Sequence, residues 1–135
     1  MRLRDSPPGL LMFIKFISAL LIAAACSSTA AIAVEHKAHQ FSGVAAYYDR
    51  GYSGRTASGA RYDPHRLTAA HRTLPFGTRV RVTDRKTGRS VEVVITDRGP
   101  FNKGRVIDLS LAAAQELRMV SRGLARVTAS VVPRE

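Results

Sequence analysis

Residues 67–78 read LTAAHRTLPFGT, and this segment is the most informative one about the fold. It opens with five residues that form a short apolar β signal. Directly after it, residues 79–83 (RVRVT) alternate strictly, which predicts a strand whose two valines face the core. Residues 84–88 (DRKTG) have turn chemistry, with Gly88 free to adopt a positive φ. Residues 90–96 (SVEVVIT) are therefore predicted to return as the second arm of a hairpin.

The rest of the chain adds more short strands and one helix. Further β signals occur at residues 43–48, 106–109 and 124–132. Residues 49–62 are rich in Gly and Ser and predict a loop. A helix is predicted over residues 111–119 (LAAAQELRM), because Ser110 is a good N-cap and Gly123 can close the end. About six short strands with one small helix predict a mainly β fold that closes into a compact barrel, although periodicity leaves the topology open.

Length, cysteine content and charge narrow the class of protein. A chain of 135 residues has room for one domain, and 45% apolar residues exclude a disordered tail. The single cysteine excludes an intramolecular disulfide and a multi-cysteine zinc module. A net charge of +11 predicts an anionic partner.

Residues 1–33 predict a signal peptide for export. Three basic residues accompany an apolar stretch at residues 16–25, and residues 31–33 (AIA) have the form that signal peptidase accepts. Met12 opens a more ordinary signal peptide than Met1 does and is a candidate for the true start.

Two alternatives to cleavage after Ala33 remain open. Cys26 follows three alanines that resemble a degenerate lipobox, so the signal could end before Cys26 and leave a lipidated cysteine. An uncleaved anchor is the other alternative, since residues 16–34 carry no charge over a length close to that of a membrane span. Residues 34–41 are predicted to be a polar linker in either case.

Export also restricts the partners. Removing residues 1–33 takes away three basic residues and one acidic residue, which leaves a net charge of +9. A basic protein in the periplasm or cell envelope meets anionic wall polymers and few nucleic acids, so no nucleic-acid partner is expected. His36 and His39 lack a third ligand, and the sequence shows no metal cluster or phosphate loop. Neither a metal nor another cofactor is therefore expected.

Five segments are the most diagnostic of the chain: residues 43–48 (GVAAYY), 56–59 (TASG), 67–78, 97–101 (DRGPF) and 105–110 (RVIDLS). Together they closely resemble the rare lipoprotein A (RlpA-like) family of bacterial cell-wall proteins. The resemblance spans about residues 42–132. It implies a six-stranded double-psi β-barrel domain over residues 42–133, with one or two short helices.

The resemblance implies lytic transglycosylase activity on peptidoglycan. Such enzymes cut the β-1,4 bond between N-acetylmuramic acid and N-acetylglucosamine without water, and the muramyl 6-hydroxyl closes on C1 to leave a 1,6-anhydro end. One carboxylate can protonate the leaving oxygen and then accept the 6-hydroxyl proton, whereas glycoside hydrolases use two.

Asp97 is the candidate for that carboxylate. It matches the aspartate of the family's DRGP motif and is predicted to end a strand, where its side chain can point into a groove. The alternative is a turn residue that caps its own backbone. His71 matches a second family position and is a candidate to hydrogen-bond the carboxylate or a sugar hydroxyl. The alternative for His71 is a histidine satisfied within the core.

Three other positions bear on catalysis. Many family members have Glu where this chain has Ala60, and alanine can neither titrate nor accept a hydrogen bond through its side chain. Asp63, in the same loop, is either a partial substitute or a turn residue. Asp108 also matches a family carboxylate, and we expect it to have a structural role in tying loop amides near the start of the helix.

Aromatic and basic side chains around the same loops are candidates for substrate binding. The aromatic rings, which can stack on sugar C–H surfaces, are Tyr47, Tyr48, Tyr52 and Phe101. Four arginines around these loops could hold substrate carboxylates: Arg55, Arg61, Arg72 and Arg98. Of these, Arg72 and Arg98 are the candidate binding residues.

Two functions are therefore compared. The preferred hypothesis is an exported, monomeric, endolytic peptidoglycan transglycosylase with Asp97 as acid and base. The alternative is a non-catalytic, expansin-like module that binds peptidoglycan or loosens the wall. Ala60 favours the alternative and Asp97 disfavours it.

Overall fold

The computed structural model describes residues 39–134, which form a closed six-stranded barrel. The strands and the helix are β1 (Gln40–Tyr47), β2 (Thr68–Ala70), β3 (Arg79–Asp84), β4 (Ser90–Asp97), β5 (Arg105–Leu109), α1 (Leu111–Glu116) and β6 (Ala125–Val131). Around the barrel the strand order is β1-β5-β2-β4-β3-β6. All six predicted strands and the predicted helix are confirmed.

Alternating side chains build the core. In β3 and β4 every second residue is buried, with Val80, Val82, Val93 and Ile95 all fully inaccessible to solvent. The two strands pair antiparallel around the hairpin turn, in which Gly88 has a φ of +76°. This period-two pattern places one set of side chains inside the barrel and leaves the other set facing outward.

The barrel begins earlier than the sequence predicted. Strand β1 starts at Gln40, and Gln40 and Phe41 pair with Ser130 and Ala129 of β6. The last two residues of the predicted linker, 34–41, therefore belong to the barrel. Their pairing partners in β6 lie almost 90 residues away in the chain. No pattern within a short stretch of sequence could therefore predict this pairing.

The helix ends earlier than predicted. Ser110 caps it as expected, because its Oγ accepts a hydrogen bond from the Ala113 amide at 3.2 Å. The last helical residue is Glu116 rather than residue 119, because Arg118 takes a left-handed φ of 53° that interrupts the helix. Gly123 therefore lies in the connection to β6 and does not close the helix.

Several sequence-based predictions fall outside residues 39–134. They concern the signal peptide at residues 1–33, a start at Met12 and lipidation of Cys26. Within the described residues, no helix has the length and apolar character needed to cross a bilayer.

Candidate active site

Two carboxylates lie in one row across four neighbouring strands. Asp97, the last residue of β4, is paired in register with Ala70 of β2, and Ala70 is also paired with Asp108 of β5. Asp108 in turn is in register with Ala46 of β1. Because laterally paired residues project from the same face of a sheet, the two carboxylates flank a single alanine on one surface of the barrel.

The Asp97 carboxylate is held by three hydrogen bonds. Its Oδ1 accepts from the amides of Ala57 at 2.7 Å and Arg98 at 2.9 Å. Its Oδ2 accepts from the Tyr48 hydroxyl at 2.5 Å. The side chain is half-buried, so it is fixed in orientation without being sealed inside the fold. Asp97 does cap the following amide, as the turn alternative predicted, but it also joins two distant segments.

Tyr48 is a hydrogen-bond donor rather than an open stacking platform. Burial raises the pKa of Tyr48 most, and the hydrogen bond to Asp97 raises it further. Its ring packs against Tyr62 and Tyr52, with centroid distances of 4.5 and 5.2 Å. Tyr48 therefore stays protonated and keeps donating to the carboxylate.

The other three predicted aromatic residues differ in position. Tyr47 points away from Asp97, because neighbouring residues in a strand project to opposite faces, and its hydroxyl donates to the Val120 carbonyl at 2.8 Å. Phe101 follows the Gly-Pro turn after Asp97 and is 81% exposed, and Tyr52 is 38% exposed. Phe101 and Tyr52 are thus open to a ligand, whereas Tyr47 is occupied by its packing role.

His71 supports the loop beside the site instead of contacting the carboxylate. Its Nδ1 accepts from the amides of Thr73 at 3.2 Å and Leu74 at 3.1 Å. Only its backbone amide reaches Asp97, by donating to the Asp97 carbonyl at 3.1 Å. Burial lowers the pKa of His71 most, and nearby His39 and arginines add to the effect. The expected imidazole–carboxylate hydrogen bond is therefore not formed among the described residues.

Both predicted substrate arginines are engaged with backbone carbonyls. Arg72 donates from Nε to Pro100 at 2.5 Å, and from Nη2 to Asn102 and Arg105 at 3.0 and 3.1 Å. These contacts fix the segment that carries Phe101.

Arg98 braces a different loop. Its Nη1 donates to the carbonyls of His71 and Leu74, and its guanidinium lies 4.0 Å from the centroid of the Phe76 ring. Arg72 and Arg98 therefore position loops around Asp97, and their binding to substrate carboxylates stays a prediction.

The comparisons with known proteins agree with this geometry. The family model described as lytic transglycolase matches residues 40–129. The chain belongs to this family. A Nostoc relative named probable endolytic peptidoglycan transglycosylase RlpA is 57% identical over 97 residues, which is 70% of this chain and 26% of the relative. A Neisseria meningitidis relative, named endolytic peptidoglycan transglycosylase RlpA, is 51% identical over 86 residues, or 63% of this chain and 36% of the relative. This chain thus spans between about a quarter and somewhat over a third of the length of these RlpA proteins.

Solved structures show the same fold. The Streptomyces papain inhibitor matches with a TM-score of 0.58 and 26% identity, over 70% of this chain and 96% of the inhibitor. A Clavibacter michiganensis expansin, crystallised in complex with cellohexaose, matches with a TM-score of 0.57 and 20% identity, over 72% and 52% of the two chains. The RlpA resemblance and the double-psi β-barrel prediction are both confirmed.

Ala60, for which the family resemblance leads us to expect Glu, lies in a loop tied to the carboxylate. Ala60 is exposed, and its carbonyl accepts from both the amide and the hydroxyl of Thr56 at 2.8 Å. The same short loop supplies the Ala57 amide that binds Asp97. Asp63 in the same loop has the geometry of a turn residue, because its Oδ1 accepts from the His65 amide at 2.9 Å.

Asp108 has a different structural role from the one expected. Its Oδ1 pairs with Arg105 Nη2 at 2.5 Å and does not bind loop amides near the helix. Its charge contributes to the raised pKa of Tyr48, after the larger effects of burial and of Asp97.

Two parts of the site were not anticipated from the sequence. The Ala57 amide contacts Asp97, and buried Tyr62 accepts a hydrogen bond from the Leu111 amide at 3.1 Å while packing against Tyr48. The feature of the sequence that could have identified Tyr62 is the position of a tyrosine inside a polar, glycine-rich loop. Among the described residues, no group of three or more His, Cys, Asp or Glu side chains is arranged to hold a metal ion.

Proposed function

We propose that this protein is a lytic transglycosylase that cleaves the β-1,4 bond between N-acetylmuramic acid and N-acetylglucosamine in peptidoglycan and forms 1,6-anhydro-muramyl ends. The observation that carries the proposal is the half-buried Asp97 carboxylate, which is fixed by three donors at the end of β4. The names of the RlpA relatives support the same activity.

Asp97 moves one proton in each of two steps. In the first, its protonated carboxyl donates to the glycosidic oxygen while the bond from that oxygen to the muramyl C1 breaks. In the second, the resulting carboxylate accepts the 6-hydroxyl proton while O6 bonds to C1. The proton returns to Asp97, and no water is consumed.

The three donors stabilise the charged state between these steps. The Ala57 and Arg98 amides hold Oδ1, and the Tyr48 hydroxyl holds Oδ2. Hydrogen bonds that are already in place when a charge develops need no reorganisation during the reaction, which makes them effective in catalysis.

Exposed aromatic rings supply the sugar contacts. Phe101 and Tyr52 are open, and Phe101 is carried on the segment that Arg72 braces. Aromatic faces pack against the apolar C–H surface of a pyranose ring. We assign both rings to substrate binding.

The test is product analysis with the full chain. Peptide-free glycan strands are incubated with the wild type, Asp97→Asn and the control Asp49→Asn, and 1,6-anhydro-muramyl ends are measured by mass spectrometry. We expect products from the wild type and the control, and a loss of at least about 100-fold with Asp97→Asn. Undiminished product from Asp97→Asn would remove Asp97 from its role. Binding without product from the wild type would favour the non-catalytic, wall-loosening alternative.

We also propose that the protein acts outside the cytoplasm, as an exported monomer cleaved after Ala33 or lipidated on Cys26. The basic, apolar and small-residue order of residues 1–33 supports export. Mass spectrometry of the protein recovered from cell fractions tests this. An intact N-terminus in the cytoplasmic fraction would contradict it.

A further inference from the structure

A second polar groove lies on the outer face of strands β1, β6 and β3. Its volume is about 390 Å³. The side chains that give it its chemistry are Gln40, Ser42, Arg81, Thr83, Thr128 and Ser130. We call it the outer groove. The catalytic proposal uses none of these residues.

The strand register arranges the outward-facing side chains in and beside the groove in two rows. One row consists only of hydroxyl side chains, in the order Ser42, Thr128, Thr83 and Ser90. Neighbouring members are about 5 Å apart, which is the spacing between strands. The Oγ atoms of Thr83 and Ser90 are 2.7 Å apart, so part of this row is already ordered by hydrogen bonding. An ordered ladder of donors and acceptors at this spacing suits a ligand with repeating hydroxyl and amide groups.

The second row contributes a positive charge. It runs through Gln40, Ser130, Arg81 and Glu92. Glu92 forms an ion pair with Arg79 on the neighbouring strand, whereas Arg81 is exposed and forms no ion pair among the described residues. Arg81 is therefore available to a carboxylate on a ligand.

The outer groove adjoins the catalytic site through shared and neighbouring strands. Strand β1 contributes Gln40 and Ser42 to the groove and Ala46 to the row that carries the two carboxylates. Strand β3, which contributes Arg81 to the groove, pairs with β4, and β4 ends at Asp97. A ligand in the groove would therefore lie on strands that also form or border the site.

We propose that the outer groove binds additional sugars of a long glycan strand, with Arg81 paired to a carboxylate that the strand carries. The identity of the glycan rests on the proposed function, but the binding itself does not require cleavage. The hydroxyl row matches the hydroxyl and acetamido groups of the sugars, and the Arg81 guanidinium matches the lactyl carboxylate of a muramyl residue.

Binding assays on a non-cleaving background test this inference. The full chain with Asp97→Asn is compared with the same chain carrying Arg81→Gln or Thr128→Trp. Arg85→Gln removes the same charge from the exposed hairpin and is the matched control. The probes are long peptide-free peptidoglycan strands, a tetrasaccharide of the same composition, and uncharged N-acetylglucosamine oligomers. Thermal unfolding of each variant verifies that it is folded.

We expect Arg81→Gln to weaken binding of the long strand about fivefold, which is the upper range for an exposed ion pair. Thr128→Trp fills the groove and should weaken binding of the long strand about tenfold. Affinity for the tetrasaccharide should not change, and Arg85→Gln should have no effect on any probe. With uncharged oligomers, Arg81→Gln should have no effect either.

Unchanged affinity of both groove variants for the long strand would overturn the inference. An equal loss with Arg85→Gln would do so too, because the effect would then be general electrostatics. Failure of the catalytic proposal has a different signature: the wild type would form no anhydro ends, whatever the groove variants do to binding.

Discussion

The Tyr48 hydroxyl donates a 2.5 Å hydrogen bond to Asp97 Oδ2 across 49 residues of sequence. Tyr48 directly follows β1, and Asp97 ends β4, so the bond ties together strands on opposite sides of the closed strand order. Since two backbone amides occupy the other oxygen, Tyr48 is the one side chain among the described residues that fixes the carboxylate by a direct hydrogen bond.

Tyr48→Phe should lower kcat about 10- to 100-fold with little change in KM. A hydrogen bond to a charged group contributes about 1.5–3 kcal/mol, and each 1.4 kcal/mol corresponds to tenfold in rate. Steady-state release of anhydro ends measures this. Tyr52→Phe is the matched control, because among the described residues that hydroxyl makes one long hydrogen bond, to the Arg55 carbonyl at 3.4 Å, and the variant keeps the ring. Equal losses in the two variants would contradict the assigned role of Tyr48.

Ala60→Glu should raise kcat about tenfold. The side chain would enter the loop that already contacts Asp97 through the Ala57 amide, and a second carboxylate can share the proton transfers. Ala60→Gln has the same shape without the charge and should leave kcat unchanged. A gain with Gln as large as that with Glu would show that titration of the new side chain is not the cause.

Phe101→Ala should raise KM about fivefold and leave the free energy of unfolding unchanged within about 0.5 kcal/mol. The ring is 81% exposed, so its removal opens no cavity in the core, whereas a stacked sugar would lose its contact. Substrate saturation curves and urea denaturation measure the two quantities. An unchanged KM would remove Phe101 from substrate binding.

Local patterns were sufficient to predict the strands but not all of their limits. The alternation in β3 and β4 and the turn at Gly88 are properties of short segments, and the structure has them where the sequence placed them. The start of β1 at Gln40 depends on pairing with distant β6, and the end of α1 depends on the left-handed conformation of Arg118. Neither dependence is a property of the local sequence.

The same limit applies to the site. Asp97 could be chosen as its centre because a strand end and a family motif coincide there. Tyr47 and Tyr48 are adjacent and look alike in sequence, yet strand alternation sends one to the Val120 carbonyl and the other to Asp97. The acceptors of Arg72 are backbone carbonyls 28 to 33 residues away, which carry no signature of residue type.

Arg72→Lys should reduce the free energy of unfolding by about 2 kcal/mol and raise KM. One ammonium group cannot span the three carbonyls of Pro100, Asn102 and Arg105 that the guanidinium reaches, and unpaired carbonyls are costly. Urea denaturation gives the free energy. Arg50→Lys, at an exposed position, is the control. A variant as stable as the control would show that the loop does not depend on this arginine.

The stability of the fold should decrease as pH falls below about 6.5, the unperturbed pKa of histidine, because of His71. Burial, with the neighbouring His39, Arg98 and Arg72, lowers the pKa of His71 in the folded state. The unfolded chain therefore binds the proton more readily, so this contribution is fully present above that pH and is lost as the pH falls through the folded pKa.

The hydrogen bonds of the His71 ring explain why the folded state favours its neutral form, and the variant His71→Gln tests this explanation. The unprotonated Nδ1 accepts from the Thr73 and Leu74 amides, and a proton on that atom would end both hydrogen bonds. The free energy of unfolding is measured at several pH values between 5 and 7.5 for the wild type and the variant. Both proteins retain the other three of the four histidines, so their difference isolates His71. We expect a smaller loss on acidification in His71→Gln, and parallel curves would assign the pH dependence to another group.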